Sequence, residues 1–528
     1  MDIAQLIEAL KDPRAYPHPV DQVEVCQTHI SVVFLAGPFA YKVKKPVHFD
    51  FVDFSTLDRR RFYCEEEIRL NRRLAGEIYH DVVPIAADGQ LHVDGDGDVV
   101  EWAVQMDRLP AERTLLALVK SGQASPDRVC SLAQRVAAFH SKADSRSEIA
   151  AYGRYEVVAD NARDNLKQAA SQIGQAISGA VFDRLHGLTT SVLARLRSSI
   201  EKRAANGLTR DTHGDLRLEH VYFLPDQAPP NDLVMIDCIE FNERFRYADP
   251  VSDMAFLVMD LIVHGRRDLA GVFAETYFLA TGDVEGRTLL PYYTSYRAAV
   301  RAKVAGIKAQ EPEIPEAERA EALAKTRARW LLALAELEEA GRKPCLLLVG
   351  GLPGTGKSTL ARGLAEQANA QIVRSDLVRK ELAGQSGTPS KSTEFEGGIY
   401  SAEWTERTYT ECLRRAEALL FEGSRVIVDA TFAREVWRQA FMDLAQRWSV
   451  PVLFFLCRAE PEVVKARLAN RSNDASDADW LVHVQAAARW EQVGEHTREV
   501  LREIATEGVA DSSVVLALQH LRSQGLQN

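Results

Sequence analysis

The feature that most constrains this chain is a glycine-rich segment near its middle. It reads Gly351-Leu352-Pro353-Gly354-Thr355-Gly356-Lys357-Ser358 and fits the pattern G-x-x-x-x-G-K-[ST]. The unbroken apolar run of residues 345–349 precedes it and predicts a buried parallel strand, and residues 359–365 follow with helical spacing. In the order strand, loop, helix, such a loop cradles phosphates with its backbone N–H groups. The sequence therefore predicts a site for a nucleoside triphosphate, ATP or GTP.

Each part of this loop has a predicted role in holding the nucleotide. We expect Lys357 to reach the β- and γ-phosphates and Ser358 to hold Mg²⁺. The helix N-terminus that follows adds a partial positive charge. The residues predicted to bind the nucleotide are Gly351, Leu352, Pro353, Gly354, Thr355, Gly356, Lys357, Ser358 and Thr359.

Two acids follow predicted strands in the same half of the chain. Asp376 ends the strand after the loop's helix, and we predict that it deprotonates an acceptor hydroxyl. The alternative is that Asp376 only caps a helix. Asp429 ends the buried strand of residues 425–429 and is predicted to support Mg²⁺.

Two arginines near the end of this half are predicted to clamp the phosphates. Arg467 and Arg471 are four residues apart and share one helical face. Guanidinium groups placed there would stabilise the transferring phosphoryl group. The alternative is a solvated basic face. The polar, glycine-rich residues 384–400 are predicted to form a substrate loop.

Composition narrows the class of protein. With 528 residues, of which 46% are hydrophobic and 26% charged, the chain suits a soluble protein of two to four domains. The net charge of -11 argues against an extended nucleic-acid surface. No apolar run approaches the roughly 20 residues that a membrane helix needs. The seven scattered cysteines suit a reducing cytoplasm, which is the predicted location.

The first half begins with β-rich sequence that carries two lysines. Lys42 and Lys44 fall on the same face of the predicted strand 39–44, after a turn at Gly37. The helix of residues 58–75 then places Glu67 among apolar neighbours, where an unpaired carboxylate is costly. Either lysine is predicted to pair with Glu67 and to reach a nucleotide phosphate, with Glu66 as the fallback partner. The alternatives are a solvated edge strand and a carboxylate that reaches water.

Two further acids lie after this region. Asp215 lies in the tight loop of residues 212–223, and Asp237 ends the apolar strand of residues 233–237. Phosphoryl transfer needs one carboxylate that accepts a hydroxyl proton and another that holds Mg²⁺. We therefore predict that these two acids fill those two roles. The alternative is that these acids cap turns and helices.

The segment His213-Gly214-Asp215-Leu216, followed by a strand and Ile236-Asp237, resembles the aminoglycoside phosphotransferase and choline kinase family. The resemblance spans roughly residues 20–330. It implies a protein-kinase-like fold with a small lobe at about 20–107, a helical large lobe at about 108–340, and phosphorylation of a hydroxyl on a small molecule. By this resemblance Asp215 is the catalytic base and Asp237 the Mg²⁺ ligand, with His213 and Asp253 as braces of the loop.

Two positions depart from the pattern of that family. His220 stands five residues after Asp215, where the family usually has an asparagine as a second metal ligand. Neutral imidazole prefers softer metals than Mg²⁺. The glycine-rich loop expected in the first half of the chain is also reduced to a single glycine, Gly37. These departures leave open a kinase-like domain that binds nucleotide without transferring phosphate.

Residues 343–510 resemble the small P-loop kinases, namely the gluconate and shikimate kinase type, polynucleotide kinase and the zeta-toxin group. The matching pieces are the glycine loop, Asp376 with Arg379, Asp429 and the paired arginines. The order of the two halves resembles bacterial fusions labelled aminoglycoside phosphotransferase-like/AAA-family ATPase. This implies a kinase-like domain at 1–340 and, at 341–528, a three-layer α/β/α domain with a parallel sheet.

The combined prediction is an ATP- and Mg²⁺-dependent phosphotransferase with two nucleotide-binding modules that act on small hydroxylated molecules. A nucleotide-binding stress or signalling ATPase, with the front domain as a binding module, is the first alternative. A polynucleotide 5′-hydroxyl kinase is the second, and the acidic net charge disfavours it.

Overall fold

The computed structural model describes residues 2–49, 51–311, 314–384, 401–470 and 479–528. These divide into two compact units. Unit 1 comprises Met1–Asn161 and Arg195–Tyr293, and unit 2 comprises Ala162–Ala194 and Thr294–Asn528. Helical segments before residue 341 therefore group with the C-terminal half, and the domain boundary near residue 341 stays a prediction.

The strands, in chain order, are β1 (Val23–Gln27), β2 (Ser31–Ala36), β3 (Phe39–Lys44), β4 (His48–Phe49), β5 (Val52–Asp53), β6 (Tyr79–Ala87), β7 (Leu91–Val93), β8 (Asp98–Asp107), β9 (Arg210–Asp211), β10 (Val221–Phe223), β11 (Leu233–Met235), β12 (Tyr247–Ala248), β13 (Cys345–Gly350), β14 (Gln371–Arg374), β15 (Arg425–Asp429), β16 (Val452–Arg458) and β17 (Leu501–Ala505).

The α-helices are α1 (Ile3–Ala9), α2 (Leu57–Ala75), α3 (Leu115–Lys120), α4 (Pro126–Lys142), α5 (Ser147–Ala150), α6 (Tyr155–Ala169), α7 (Gly179–Ala205), α8 (Glu243–Arg246), α9 (Pro250–Val263), α10 (Arg267–Thr281), α11 (Leu290–Lys308), α12 (Glu316–Leu337), α13 (Lys357–Gln367), α14 (Ser375–Leu382), α15 (Ala402–Phe421), α16 (Glu435–Arg447), α17 (Pro461–Ala469), α18 (Trp480–Ala488), α19 (Glu495–Val500) and α20 (Ala510–Ser523).

A six-stranded antiparallel sheet organises the start of unit 1, in the order β1-β2-β3-β8-β6-β7. Side chains of β3 alternate between its two faces. Tyr41 and Val43 join the apolar cluster that includes residues of α1, while Ala40 faces the cluster that α2 contributes to. Lys42 and Lys44 share the α2 face with Ala40, so the sheet turns both lysines toward a helix rather than toward water.

Short strand pairs hold the loops that carry the predicted acids of unit 1. Strand β10 pairs antiparallel with β11, and β12 pairs with β9. The loop of residues 212–217 lies between β9 and β10, and Asp237 follows β11. Helix α9 is buried along almost its whole length and supplies a rigid wall for these loops.

Unit 2 contains a five-stranded parallel sheet in the order β14-β15-β13-β16-β17. One face packs on α13 and α20 through a continuous apolar cluster. On the other face, Phe432, Phe441 and Phe454 pack edge-to-face, and α15 lies against β15. Because both faces are covered, β13 is apolar and buried throughout. This confirms the predicted parallel sheet of the C-terminal half.

Among the described residues, none of the helices is both long enough and apolar enough to cross a membrane.

The close contact between α13 and α20 generates a stability prediction. A Cβ added at Gly363 would lie 2.5 Å from Cγ2 of Val514, a short and stiff side chain. Gly363→Ala gains about 0.5–1 kcal/mol in helix propensity, but overpacking costs about 1–3 kcal/mol. We expect the free energy of unfolding, measured by urea denaturation, to fall by about 1 kcal/mol.

The matched control is the same substitution in a Val514→Ala background. There the steric conflict is gone, so Gly363→Ala should raise the free energy of unfolding by up to about 1 kcal/mol. An equal loss in both backgrounds would contradict the proposed contact.

Candidate active sites

The two lysines of β3 and three carboxylates form a single ion network in unit 1. Lys42 Nζ lies 2.8 Å from Glu67 Oε1 and 2.6 Å from Asp237 Oδ1. Lys44 Nζ lies 2.8 Å from Glu67 Oε2 and also contacts Glu240. Both lysines therefore pair with the predicted carboxylate of α2, each through a different oxygen.

The charges of this network depend on one another. Burial alone would lower the pKa of Lys42, but the carboxylates of Asp237 and Glu67 raise that pKa well above its usual value. Burial alone would raise the pKa of Glu67, but the charges of the two lysines outweigh the effect of burial, so the pKa of Glu67 is lowered. The pKa of Glu240 is raised, because burial outweighs its contact with Lys44.

The two lysines occupy different environments. The Lys44 side chain is fully buried, and its Nζ lies 5.1 Å from the centre of the Phe54 ring. Lys42 keeps slight exposure and contacts Asp237, whose side chain is 43% exposed. Only Lys42 thus reaches the open part of the site, a distinction that the alternation along the strand could not make.

Asp237 has a backbone conformation that is uncommon for residues other than glycine, although aspartate adopts it more readily than most. Its φ is +65°, in the left-handed region, which costs roughly 1–3 kcal/mol for a residue other than glycine. Two hydrogen bonds from the backbone to nearby side chains offset this conformational cost. The Asp237 N–H donates to Tyr79 Oη (3.3 Å), and the Cys238 N–H donates to Asn71 Oδ1 (2.9 Å). These bonds hold the backbone at Asp237, and Lys42 holds its carboxylate.

His220 lies beside Asp237. Its Nδ1–H donates to the Asp215 carbonyl oxygen (2.8 Å), while Nε2 accepts a hydrogen bond from Arg217 (3.3 Å) and lies 3.5 Å from Asp237 Oδ2. Burial, followed by the charge of Arg217, lowers the pKa of His220 to about 4, so the imidazole is neutral near pH 7.

These contacts bear on the predicted metal site of unit 1. Among the described ranges, no group of three or more His, Cys, Asp or Glu side chains is arranged to hold a metal ion. Asp237 supplies the hard oxygen ligand that Mg²⁺ prefers, whereas the His220 nitrogen does not. A Mg²⁺ ion on Asp237 would complete its shell with phosphate and water oxygens.

The loop that carries Asp215 is tied to α9 and to β11. The fully buried Asp253 accepts hydrogen bonds from the N–H groups of His213 (3.1 Å) and Gly214 (2.9 Å), and from Nε2 of His140 (3.1 Å). The His213 Nε2–H donates to the carbonyl of Ile236 (2.9 Å). Asp253 and His213 thus contact the loop as braces would.

The carboxylate of Asp215 is only partly exposed and pairs with Arg217, whose Nε lies 3.0 Å from Asp215 Oδ2. Sequence reasoning missed this partner, together with Glu240, His140 and Tyr79. For Arg217, its closeness to Asp215 along the chain was a usable signal. The other three are distant in sequence from the groups they contact, and no local pattern links them.

In unit 2, the glycine loop has the backbone that its sequence requires. Gly351, Gly354 and Gly356 have φ values of +138°, +83° and +86°. A Cβ at Gly351 would lie 2.7 Å from the Cys457 carbonyl oxygen, so the chain passes too close for any larger residue. Lys357 begins α13, and its Nζ donates to the Leu352 carbonyl (3.1 Å) across the loop. Thr359, two residues after Lys357, is exposed.

The predicted acids of unit 2 meet at the carboxyl end of the sheet. Asp429 is buried and pairs in register with Val349, the last residue but one of the strand before the loop. Burial raises the pKa of Asp429, and the charge of Lys357 and a hydrogen bond from Ser358 only partly offset it. The charge of Asp376, half-buried at the start of α14, raises that pKa further.

Arg467 of α17 faces the glycine loop. It donates to the Thr506 carbonyl, and its Nη1 lies 3.5 Å from where a Cβ on Gly356 would be. That Nη1 is buried and, within the described part of the chain, has no hydrogen-bond partner. An unpartnered guanidinium nitrogen beside this loop fits an anion. Arg471 and all but the first residue of the predicted substrate loop 384–400 lie outside the described residues.

One protein-family model matches the C-terminal part of the chain. The AAA_33 family model, described as an AAA domain, matches residues 346–496, which contain the glycine loop and Asp429. The P-loop fold of this unit implies that it binds a nucleotide.

Similarity to whole proteins extends over most of the chain. It is 33% identical over 475 residues to uncharacterized protein Rv2004c of Mycobacterium tuberculosis and to uncharacterized protein Mb2027c of Mycobacterium bovis. Each alignment covers 89% of this chain and 91% of the relative.

Three solved structures resemble parts of the chain. A sugar kinase from Janibacter is 18% identical, with 35% of this chain and 99% of that chain covered and a TM-score of 0.27. A gluconokinase from Sinorhizobium meliloti is 14% identical, with 34% and 93% covered and a TM-score of 0.26. A choline/ethanolamine kinase family protein from Mesorhizobium loti is 14% identical, with 63% and 98% covered and a TM-score of 0.36.

The different environments of the two lysines generate a prediction. Lys44→Met would leave the buried Glu240 without its cation and Glu67 with Lys42 alone, so we expect the free energy of unfolding to fall by about 3–5 kcal/mol. Lys42→Met leaves Glu67 paired with Lys44, and Asp237 can be solvated, so its loss should be much smaller. Urea denaturation of both variants measures the difference.

The double variant Lys44→Met/Glu240→Gln serves as the control. Removing the second buried charge should restore a large part of the stability that Lys44→Met loses. Equal losses in the two single variants would contradict the separate environments described for these lysines.

Proposed function

We propose that this chain, which belongs to the same protein family as Rv2004c and Mb2027c of the mycobacteria, is an ATP- and Mg²⁺-dependent phosphotransferase acting on a hydroxyl group of a small molecule. The observation that carries the proposal is the meeting of Ser358, Lys357 and Asp429 at the carboxyl end of the parallel sheet. A hydroxyl and a carboxylate that share a hydrogen bond there are the oxygen ligands that Mg²⁺ takes beside a phosphate-binding lysine.

In unit 2, we assign a role to each residue around the glycine loop. Bound MgATP would supply the phosphoryl group and a divalent counter-charge. Lys357 would exchange its contact with the Leu352 carbonyl for a phosphate oxygen. Ser358 and Asp429 would hold the metal, and Asp376 would take the proton of the acceptor hydroxyl. Arg467, with Arg471, would stabilise the charge on the transferring group.

In unit 1, the ion network supports a second nucleotide site. Lys42, oriented by Glu67, would bind a phosphate, and Asp237 would hold Mg²⁺. Lys44 would keep Glu67 in place from the buried side. Asp215 would accept the proton of a second hydroxylated small molecule, in a loop that Asp253 holds in position.

One alternative has specific observations in its favour, namely that unit 1 binds a nucleotide without transferring phosphate. Asp215 pairs with Arg217, and Lys42 contacts Asp237 directly. His220 stands where the resembled family has an asparagine. Under this alternative the protein is a nucleotide-binding stress or signalling ATPase, and only unit 2 turns over ATP.

A phosphate-transfer assay separates these functions. Wild type, Lys357→Ala and Asp215→Asn would each be incubated with γ-labelled ATP, Mg²⁺ and a bacterial metabolite extract. We expect labelled small molecules from wild type, and a loss of about 10²- to 10³-fold in a different product for each variant, because each removes one group that acts on transferring charge or on the proton. Chelation of Mg²⁺ should abolish all transfer.

Two exposed residues provide charge-matched controls, Lys325→Ala and Asp226→Asn, and neither should change any product. If ATP hydrolysis is the sole reaction and Asp215→Asn leaves it unchanged, the binding-module alternative replaces the two-site proposal.

The unpartnered nitrogen of Arg467 generates a separate prediction. If Arg467 stabilises the transferring group more than the bound nucleotide, Arg467→Gln should lower kcat by about 10²-fold or more. The Kd for ADP, which has no γ-phosphoryl group to transfer, should change far less. Steady-state kinetics and calorimetric titration with ADP measure the two effects.

Arg458→Gln, which removes an exposed arginine from β16, is the control and should leave both values unchanged. A large loss of ADP affinity with an unaltered kcat would assign Arg467 to ground-state binding instead.

A further inference from the structure

A small cavity in unit 1 lies apart from the groups assigned to phosphate transfer. It has a volume of about 200 Å³ and lies between the last turn of α2 and the C-terminal half of α4. Three of its lining residues are basic, namely Arg73, Arg135 and Lys142. None of the lining residues belongs to the ion network of Lys42 and Glu67, nor to the loop of Asp215.

The guanidinium groups of this cavity are unequally satisfied. Arg73 donates to the carbonyls of Asp211 (2.8 Å) and Thr212 (3.1 Å) and stacks over the Phe139 ring at 5.0 Å. The Nε of Arg135 is buried and, among the described residues, has no hydrogen-bond partner. A buried donor without an acceptor is costly, so Arg135 has a reason to take an oxygen ligand.

The charge balance of the cavity is positive. Among the residues that the structure describes, no carboxylate lines it. Asp211 lies 3.4 Å from Arg73 but also pairs with Arg246, and Asp144 pairs with Arg146 at 2.6 Å. The two helix C-termini contribute about half a negative charge each. Against three full positive charges, roughly two remain, so an anion would be attracted there although the whole chain carries a net charge of -11.

We propose that this cavity is a binding site for a small anion that carries a phosphate group. The Arg73 guanidinium is held by the carbonyls of Leu70, Asp211 and Thr212 and contributes its charge. Arg135 presents guanidinium donors of the kind that phosphate oxygens accept, and Lys142 adds a second cation. The volume of about 200 Å³ suits inorganic phosphate or a short phosphate ester. The inference does not depend on phosphate transfer by either unit.

Hydrogen exchange of the full-length protein tests the site without using turnover. Amide exchange would be followed in peptides from α4, with inorganic phosphate titrated against chloride at matched ionic strength. Exchange of amides that the ligand protects should slow about twofold when phosphate equals its Kd and about tenfold at ten times that concentration. Glycerol phosphate, titrated in parallel, shows whether an ester or free phosphate binds more tightly.

The variants decide where the protecting ion binds. Arg135→Gln and Lys142→Gln should each abolish the slowing in α4, whereas Lys120→Gln, an exposed lysine near the end of α3, should retain it. Exchange rates of each variant without phosphate, compared with wild type, show that the variant is folded. Equal slowing in all variants, or no slowing in wild type with either anion, would overturn the proposal.

Discussion

The carboxylate of Glu67 is the group on which unit 1 most depends. It is fully buried on α2 and faces two lysines from the adjacent strand, one on each of its oxygens. A buried carboxylate without a cation would cost several kcal/mol, so the helix, the strand and both ammonium groups must be in place together. The same requirement orients Lys42 toward Asp237, and the binding geometry of the site thus follows from satisfying one buried charge.

Unit 2 also contains a buried carboxylate, but its surroundings differ from those of Glu67. Its acid, Asp429, is buried at the end of a parallel strand beside the glycine loop, with a hydroxyl, a lysine and the guanidinium of Arg374 close by. Burial raises the pKa of Asp429, and Lys357, Ser358 and Arg374 offset that rise only in part. A divalent cation would complete that compensation. In unit 1 the lysines already compensate Glu67, so the metal there would depend on the more exposed Asp237.

The parts of the molecule that sequence predicted best are those that local rules determine. The apolar run of β13, its glycine loop and the start of α13 follow from burial on both faces and from the φ values that only glycine adopts freely. The pairing of Glu67 with β3 was predictable because a carboxylate on an apolar helix stripe needs a cation. The sequence did not predict which of the two lysines reaches the open part of the site, because strand alternation places both on one face.

What sequence could not indicate depends on contacts between distant segments. Glu240 meets Lys44, and His140 meets Asp253, only because the fold brings separate loops and helices together. The left-handed backbone of Asp237 has no sequence signal either, since aspartate adopts this conformation only occasionally and no local pattern indicates where. The hydrogen bonds that the N–H groups of Asp237 and Cys238 donate to Tyr79 and Asn71 hold this conformation. It places the carboxylate that we assign to Mg²⁺ within reach of Lys42, so the energy stored in the loop and the geometry of the site have the same origin.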